Sequence, residues 1–475
     1  MNNVTLFIPN KQALDEIFTK DPPESNGLDT EKLYYIVSFV FNHLMKFYDS
    51  DYLDDEFSVT ICSEHMKSIL GRYPKEHIDY LVKHDILILV HKQLAGVTCR
   101  KYVLNASLLV NPSYYTVTGH TFKRSLKRNW KEKEKTKGGY AYLEKWLQKI
   151  EFNVEAATVF NNLMFECRKN HAPFLSKSRK RPNRFSNPYH QYVHGQLSIE
   201  KIQCRIIPDI DTKGMRLHSP LTNCQKMLRN YVTIDGKHLV SIDLKNSQPY
   251  MLLGLFNLIN QQTPTIHQLH LPKSNLNFKF IHSIILRHSS NILYSKEFQE
   301  YKKMVTEGTI YDEFVKLYKF PENESDSNIN ARDLIKQHFM RCFYSKNGGY
   351  SAGMKSIFKT KFPKIYALMC DLKKEDHTML AILLQRIEST IVLDKICGRI
   401  SKENPNIPLL TIHDCILTTP DNVEYVAKII EEECCNYIGI APKLSFEFCN
   451  PYLNNDLLLA MDRTAEVHFK SIENE

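Results

Sequence analysis

Two aspartates in apolar surroundings and one cationic helix stripe are where this sequence could do chemistry. The first lies in Ile242-Asp243-Leu244-Lys245-Asn246-Ser247-Gln248-Pro249-Tyr250-Met251-Leu252. The apolar run ending at Leu239-Val240 predicts a short buried strand with Asp243 at its end, and the polar segment after it turns into an apolar helix. A carboxylate at a strand end beside a polar turn can grip a hard cation. On that stretch alone, capping the next helix is the commoner use of such an Asp.

The second aspartate is in His413-Asp414-Cys415, between Leu409-Leu410-Thr411-Ile412 and Ile416-Leu417-Thr418-Thr419. Two apolar β-type runs around a polar tip predict a hairpin with Asp414 at a sheet edge. Taken alone, His-Asp is more often a turn than a catalytic pair. The stripe is Arg332, Lys336, Met340 and Tyr344, one residue every four. Each step turns about 400° on a helix, so the four share one drifting face. Such a face could hold a nucleotide lengthways, with cations at the phosphates and Met340 and Tyr344 at base and sugar. By itself a helix with solvated cations and a buried Met is the better account.

These residues need a scaffold, and the chain has the means to build one. It has 475 residues, 43% of them hydrophobic, which is length for two to four domains with real cores. Its 62 Lys and Arg against 53 Asp and Glu leave a net charge of +9, so only clustering of charge argues for nucleic acid. Twelve cysteines without a Cys-x-x-Cys read as free thiols of a reducing cytoplasm. The opening residues lack the blocks of a secretory signal, and no apolar run reaches the roughly 18 residues of a membrane span. The expected compartment is cytoplasmic, with no membrane partner.

Along the chain, residues 1–30 read as polar and irregular. Residues 31–48 have helical spacing for a buried face. Two short helices follow, one from Ser63 and one from Pro74, and then β-rich runs Ile86–Val90 and Val97–Leu104. Helix, turn, helix and hairpin is the order of a winged helix, a module used for DNA or for protein contacts. Residues 123–137 are strongly basic. A second basic cluster, Lys177, Arg179, Lys180, Arg181 and Arg184, interleaves with Phe174, Phe185, Tyr189 and Tyr192. Cations for phosphates beside rings for bases make a stronger nucleic-acid signal than charge alone. Helical regions are expected over 300–318, 331–345, 350–372 and 375–401 and a helix over 422–435, with a last strand at Leu444–Phe448.

In order and spacing, the three motifs resemble the catalytic core shared by family A DNA polymerases and phage-type single-subunit RNA polymerases. Those enzymes carry a strand-end Asp before a polar turn, a fingers helix with Arg-x3-Lys-x3-Met-x3-Tyr, and a His-Asp hairpin. Met215-Arg216-Leu217-His218-Ser219 through Asn223 resembles their template- and primer-contacting segment, and Gln385-Arg386-Ile387-Glu388 their primer-side Gln helix. The resemblance covers roughly residues 205–450. The chain departs from it in three places. Tyr344 is followed by Ser345 rather than Gly, and Asp414 by Cys415 rather than Glu or Ser. Gln248 stands where the DNA enzymes carry a Glu that excludes the ribose 2′-hydroxyl and the RNA enzymes a Gly.

The resemblance implies an α+β fold: a right-hand polymerase palm built on an antiparallel sheet, helical fingers and a thumb-like region, joined to an N-terminal winged helix. The implied division is an irregular segment (1–30), a winged-helix-like DNA-binding module (31–110) and a basic helical thumb-like region (111–204). It continues with a first palm part (205–253), fingers (254–372), a second palm part with the hairpin (373–462) and a flexible tail (463–475). Two Mg²⁺, for which Mn²⁺ can substitute, would sit on Asp243 and Asp414. Arg332 and Lys336 would meet the phosphates, Lys336 serving also as proton donor, and Met340, Tyr344 and Gln248 would complete the nucleotide site. Arg216, His413, Gln385 and the 177–184 cluster would contact primer and template. The implied function is a DNA polymerase extending a primer with dNTPs, with a replication initiator or helicase as a further partner and a mobile genetic element as a setting. Two alternatives stay open at this point. One is a phage-type RNA polymerase or primase-like enzyme. The other is a winged-helix initiator or regulator with an inactive core.

Overall fold

The computed structural model describes residues 4–46, 58–71, 74–91, 99–108, 113–126, 140–170, 177–178, 181–185, 188–203, 208–260, 278–320, 331–348 and 352–459. Helices and small antiparallel sheets make up these residues, the expected α+β composition. The chain divides more coarsely than the seven segments expected. One compact unit comprises Met1–Gly138, Thr158–Glu200 and Leu458–Glu475, and the other Gly139–Ala157 and Lys201–Leu457.

In the first unit, the opening residues are ordered, contrary to expectation. Strand Val4–Ile8 pairs antiparallel with Ser113–Val117, and helix Lys11–Lys20 follows it. Asn10 starts that helix by accepting from the Ala13 N–H, and Leu14 and Phe18 bury its apolar face. Helix Thr30–Lys46 packs Leu33, Ile36, Val37, Val40 and Phe41 into the same core. Helices Ser63–Leu70 and Pro74–Lys83 come next, with a three-stranded antiparallel sheet in which Lys101–Leu104 lies between Val59–Thr60 and Leu87–His91. The turn expected at Gln93–Gly96 lies outside the described residues, as do residues 127–139 of the first basic run. Lys177–Ser178 and Arg181–Phe185 form a short antiparallel pair. Arg179 and Lys180 lie outside the described residues, as do the side chains of Lys177, Arg181 and Arg184.

The second unit is built on a four-stranded antiparallel sheet, ordered Leu410–Ile412, Cys415–Thr418, Val240–Leu244, Leu444–Phe448. Strand Val240–Leu244 alternates strictly. Val240, Ile242 and Leu244 are buried, while Ser241 and Asp243 on the opposite face are only partly so. Helix Val423–Ile438 packs against this strand, and helix Ser247–Asn260 packs against both Val423–Ile438 and Met379–Ser389. Gly254 permits that approach, because a Cβ there would stand 3.2 Å from the Ile387 Cγ2 methyl.

Helices Phe278–Leu293, Lys296–Glu307, Ile310–Leu317, Ala331–Tyr344, Ala352–Lys361 and Pro363–Leu372 form an aromatic-rich layer. Phe314, Phe339, Phe343, Phe358 and Phe362 are buried in ring-to-ring contact. Three expected helical regions are divided. Gly308, at φ +78°, ends Lys296–Glu307 in the left-handed conformation that favours glycine. Pro363 has no N–H to continue the preceding helix and starts a new one instead. The helix after Met379 is α-helical to Ser389, π-helical over Thr390–Cys397 and α-helical again over Gly398–Glu403.

Candidate active site

Asp243 is a ladder residue of the central strand. Its cross-strand partners are Cys415 on one side and Ser445 on the other. It stands four positions before Ser247, where the next helix begins, with Asn246 at φ +56° in the turn between. That position is outside the helix cap, so capping does not account for it. Asp414 is reached from the other direction. Ile412 pairs with Cys415, so His413 and Asp414 are the two-residue turn of a hairpin. His413 takes the left-handed conformation, φ +56°, as the first turn residue. Tight two-residue hairpins require this, and it costs a non-glycine residue about 1–2 kcal/mol. Asp414 therefore lies one residue beyond the direct neighbour of Asp243.

The two carboxylates feel each other. Burial, and then the charge of Asp414, raise the Asp243 carboxyl to about 7, against a pull downward from Lys336 and Lys226. A shared like charge that leaves one acid protonated near neutrality suits a place where a cation is to be added. Among the described residues no group of three or more His, Cys, Asp or Glu could hold a metal ion. Asp243 and Asp414 offer two hard carboxylates, donors that would fit Mg²⁺ completed by water and other oxygens.

Helix Ala331–Tyr344 turns Ile335, Phe339, Cys342 and Phe343 into the core and leaves Arg332, Lys336, Met340 and Tyr344 on a less buried face. Lys336 is exposed and within electrostatic reach of Asp243. Arg332 donates to Asp312 at 2.9 Å and lies 5.5 Å over the Tyr311 ring. Tyr344 has its phenol pushed up by burial, with the Arg216 and Glu388 charges nearby. The carbonyls at the C-terminal end are held by lysines. Lys373 donates to Cys342 O at 2.8 Å and Ser345 O at 3.3 Å, and Lys355 donates to Lys346 O at 2.5 Å. Cations at a helix C-terminus satisfy orphan carbonyls, a role of Lys355 and Lys373 that the sequence did not signal.

Arg216 was expected to grip primer or template, but its fork is already engaged. Nε donates to Glu388 Oε1 at 2.7 Å and Nη2 to Oε2 at 2.8 Å. Glu388 is 1% exposed, and burial raises its carboxyl to about 7 against the opposing pull of Arg216. Gln248 donates its amide to the same carboxylate. It is 6% exposed, and its Oε1 has no partner. The turn before Arg216 is strapped to helix Met379–Ser389. Arg386 donates to Lys213 O at 2.5 Å and Thr212 O at 2.8 Å, and Ser389 donates to Gly214 O at 2.8 Å. Gln385 covers the same turn, where a Cβ on Gly214 would meet its Oε1 at 2.7 Å.

His413 has its ring 5.8 Å from His218 and is pushed down to about 4 by burial, then by Arg216, His218 and Arg229. It is neutral at pH 7. The second unit thus brings together Asp243, Asp414, Lys336, Tyr344, Arg216, Gln248 and His413, while the 177–184 cluster belongs to the first unit. Glu388, quoted only as part of the Gln385 segment, joins them. Its signal was that it is the one acid in helix Met379–Ser389.

No protein-family model matches the chain, and no curated protein matches it. Among solved structures it is similar to the POL domain of Pol1 from M. smegmatis in complex with DNA primer-template and dNTP. Identity is 10% and the TM-score 0.30, over 69% of this chain and 73% of that one. A TM-score of this size leaves the site's own geometry to carry the function. No helix among the described residues is long and apolar enough to cross a membrane.

Proposed function

We propose that the protein is a template-directed nucleotidyltransferase, a DNA polymerase that extends a primer with dNTPs. The observation that carries this reading is Asp243 on the central strand and Asp414 in the turn of the hairpin that pairs with it, with Lys336 in electrostatic reach. When bound there, two Mg²⁺ or Mn²⁺ supply the charge that favours a primer 3′-alkoxide and offsets the triphosphate. Asp243 and Asp414 hold and orient that charge. Lys336 neutralises the triphosphate and passes a proton to the departing pyrophosphate oxygen. The neutral His413 ring offers hydrogen bonds without charge to the primer end, and Tyr344 presents its ring to base and sugar. Arg332 joins the phosphate contacts on leaving Asp312.

In this reading residues 205–253 and 373–462 are a palm, 254–372 the fingers and 111–204 a thumb-like region. Residues 31–110, with their helix, helix and hairpin order, form a DNA-binding winged helix. The test is extension of a labelled primer on a DNA template with Mg²⁺ and dNTPs. Wild-type protein is expected to extend it, and Asp243→Ala and Asp414→Ala to lose at least about 10³-fold in rate, the several kcal/mol a metal site contributes. Full activity in either folded variant would falsify the assignment.

A further inference from the structure

The side chain that faces the sugar question, Gln248, does not stand alone. A glutamine amide can be turned either way, because its oxygen and nitrogen are nearly isosteric. Here the choice is made by the partner. Both Glu388 oxygens accept from the Arg216 fork, so the carboxyl meets Gln248 as an acceptor, with the Gln248 nitrogen facing it and Oε1 facing away. Glu388 itself cannot rotate freely, since both its oxygens are held by the Arg216 fork. Arg216 in turn follows the turn that Arg386 and Ser389 strap down. The chain of contacts runs from a helix backbone to one amide, and it ends at a buried acceptor without a partner, Gln248 Oε1.

We propose that Glu388 is a positioning residue for sugar selection, locking Gln248 so that its bulk and its Oε1 have one fixed place beside the incoming nucleotide. This rests on the polymerase reading above. Exclusion by bulk needs a side chain that cannot swing aside, and Gln otherwise has three rotatable bonds.

The test compares KM and kcat for dNTP and for NTP in wild type, Glu388→Gln, Gln248→Glu and the exchanged double variant Q248E/E388Q. Folding is followed by circular dichroism. Gln248→Glu keeps the Arg216 pair, so it reports even if Glu388→Gln unfolds. Each single variant is expected to lose about tenfold or more of the dNTP-over-NTP preference, carried by the KM for NTP, and the exchange to recover it. A merely structural role would slow both nucleotides alike and leave the ratio unmoved. Wild-type protein that extends primers without sugar preference, or single variants with the wild-type ratio, overturns the role of Glu388 while the polymerase reading stands. Wild-type protein that extends nothing with either nucleotide overturns that reading, and the role of Glu388 with it.

Discussion

Arg216 and Glu388, 172 positions apart, meet in a two-pronged ion pair in which the acid is almost wholly enclosed. Removing one partner of such a pair leaves an uncompensated buried charge, which costs about 3–5 kcal/mol. Arg216→Ala is therefore expected to lower unfolding free energy by that order in urea titrations at pH 8, above the range in which Glu388 holds its proton. Arg216→Lys should be intermediate, since an ammonium restores the charge but not the fork. A neutral result for Arg216→Ala would mean that Glu388 takes up its proton at little cost.

The pH dependence of stability follows from three groups. Asp243 and Glu388 hold their protons in the folded state up to about 7, whereas in the unfolded chain they release them near pH 4. Between those values the folded state binds more protons, so their contribution to stability falls as pH rises. His413, pushed down to about 4, acts oppositely, and stability from it is lost as pH falls from about 6.5. Two acids against one imidazole give a metal-free protein that weakens from pH 5 to 7. Asp243→Asn should flatten that slope and raise the melting temperature at pH 7, and added Mg²⁺ should do likewise for wild type alone. Thermal melts across this range, with and without Mg²⁺, check the sign. Stability rising with pH would contradict it.

Lys336 and Arg332 share a helix face but not a situation. Lys336 is exposed and reaches Asp243 electrostatically, while Arg332 is held by Asp312 and Tyr311. Lys336→Ala is expected to cut kcat by about 10²-fold or more, the lower range for a lost proton donor. Arg332→Ala should act mainly on the KM for nucleotide. Steady-state extension separates the two, and an unchanged kcat in Lys336→Ala would remove its proton role.

What could be read from the chain depended on how local each signal was. The alternation of Val240-Ser241-Ile242-Asp243-Leu244, the two-residue tip His413-Asp414 and the four-residue stripe of Arg332 to Tyr344 are complete within a few residues, and the structure has a strand, a hairpin and a helix there. The first strand, Val4–Ile8, was missed because its ladder partner begins at Ser113 and the residues around it are polar. The break at Pro363 was missed because the apolar spacing continues on both sides of it. The π-helical stretch Thr390–Cys397 has no compositional mark. Glu388 was passed over because its meaning lies in Arg216 and Gln248, which no periodicity connects to it.

The central strand also fixes when the site can come into being. Val240–Leu244 pairs on one side with Cys415–Thr418 and on the other with Leu444–Phe448, so neither ladder closes with nearby chain. During synthesis at about 5–20 residues per second, the last of these partners follows the strand by about 10–40 s. Asp414, 171 residues after Asp243, is made about 9–34 s after it at the same rate, and until then Asp243 stands without it. Until the Cys415–Thr418 ladder forms, the nascent chain has no paired carboxylates. In the proposed function, uptake of Mg²⁺ would then be a late folding event.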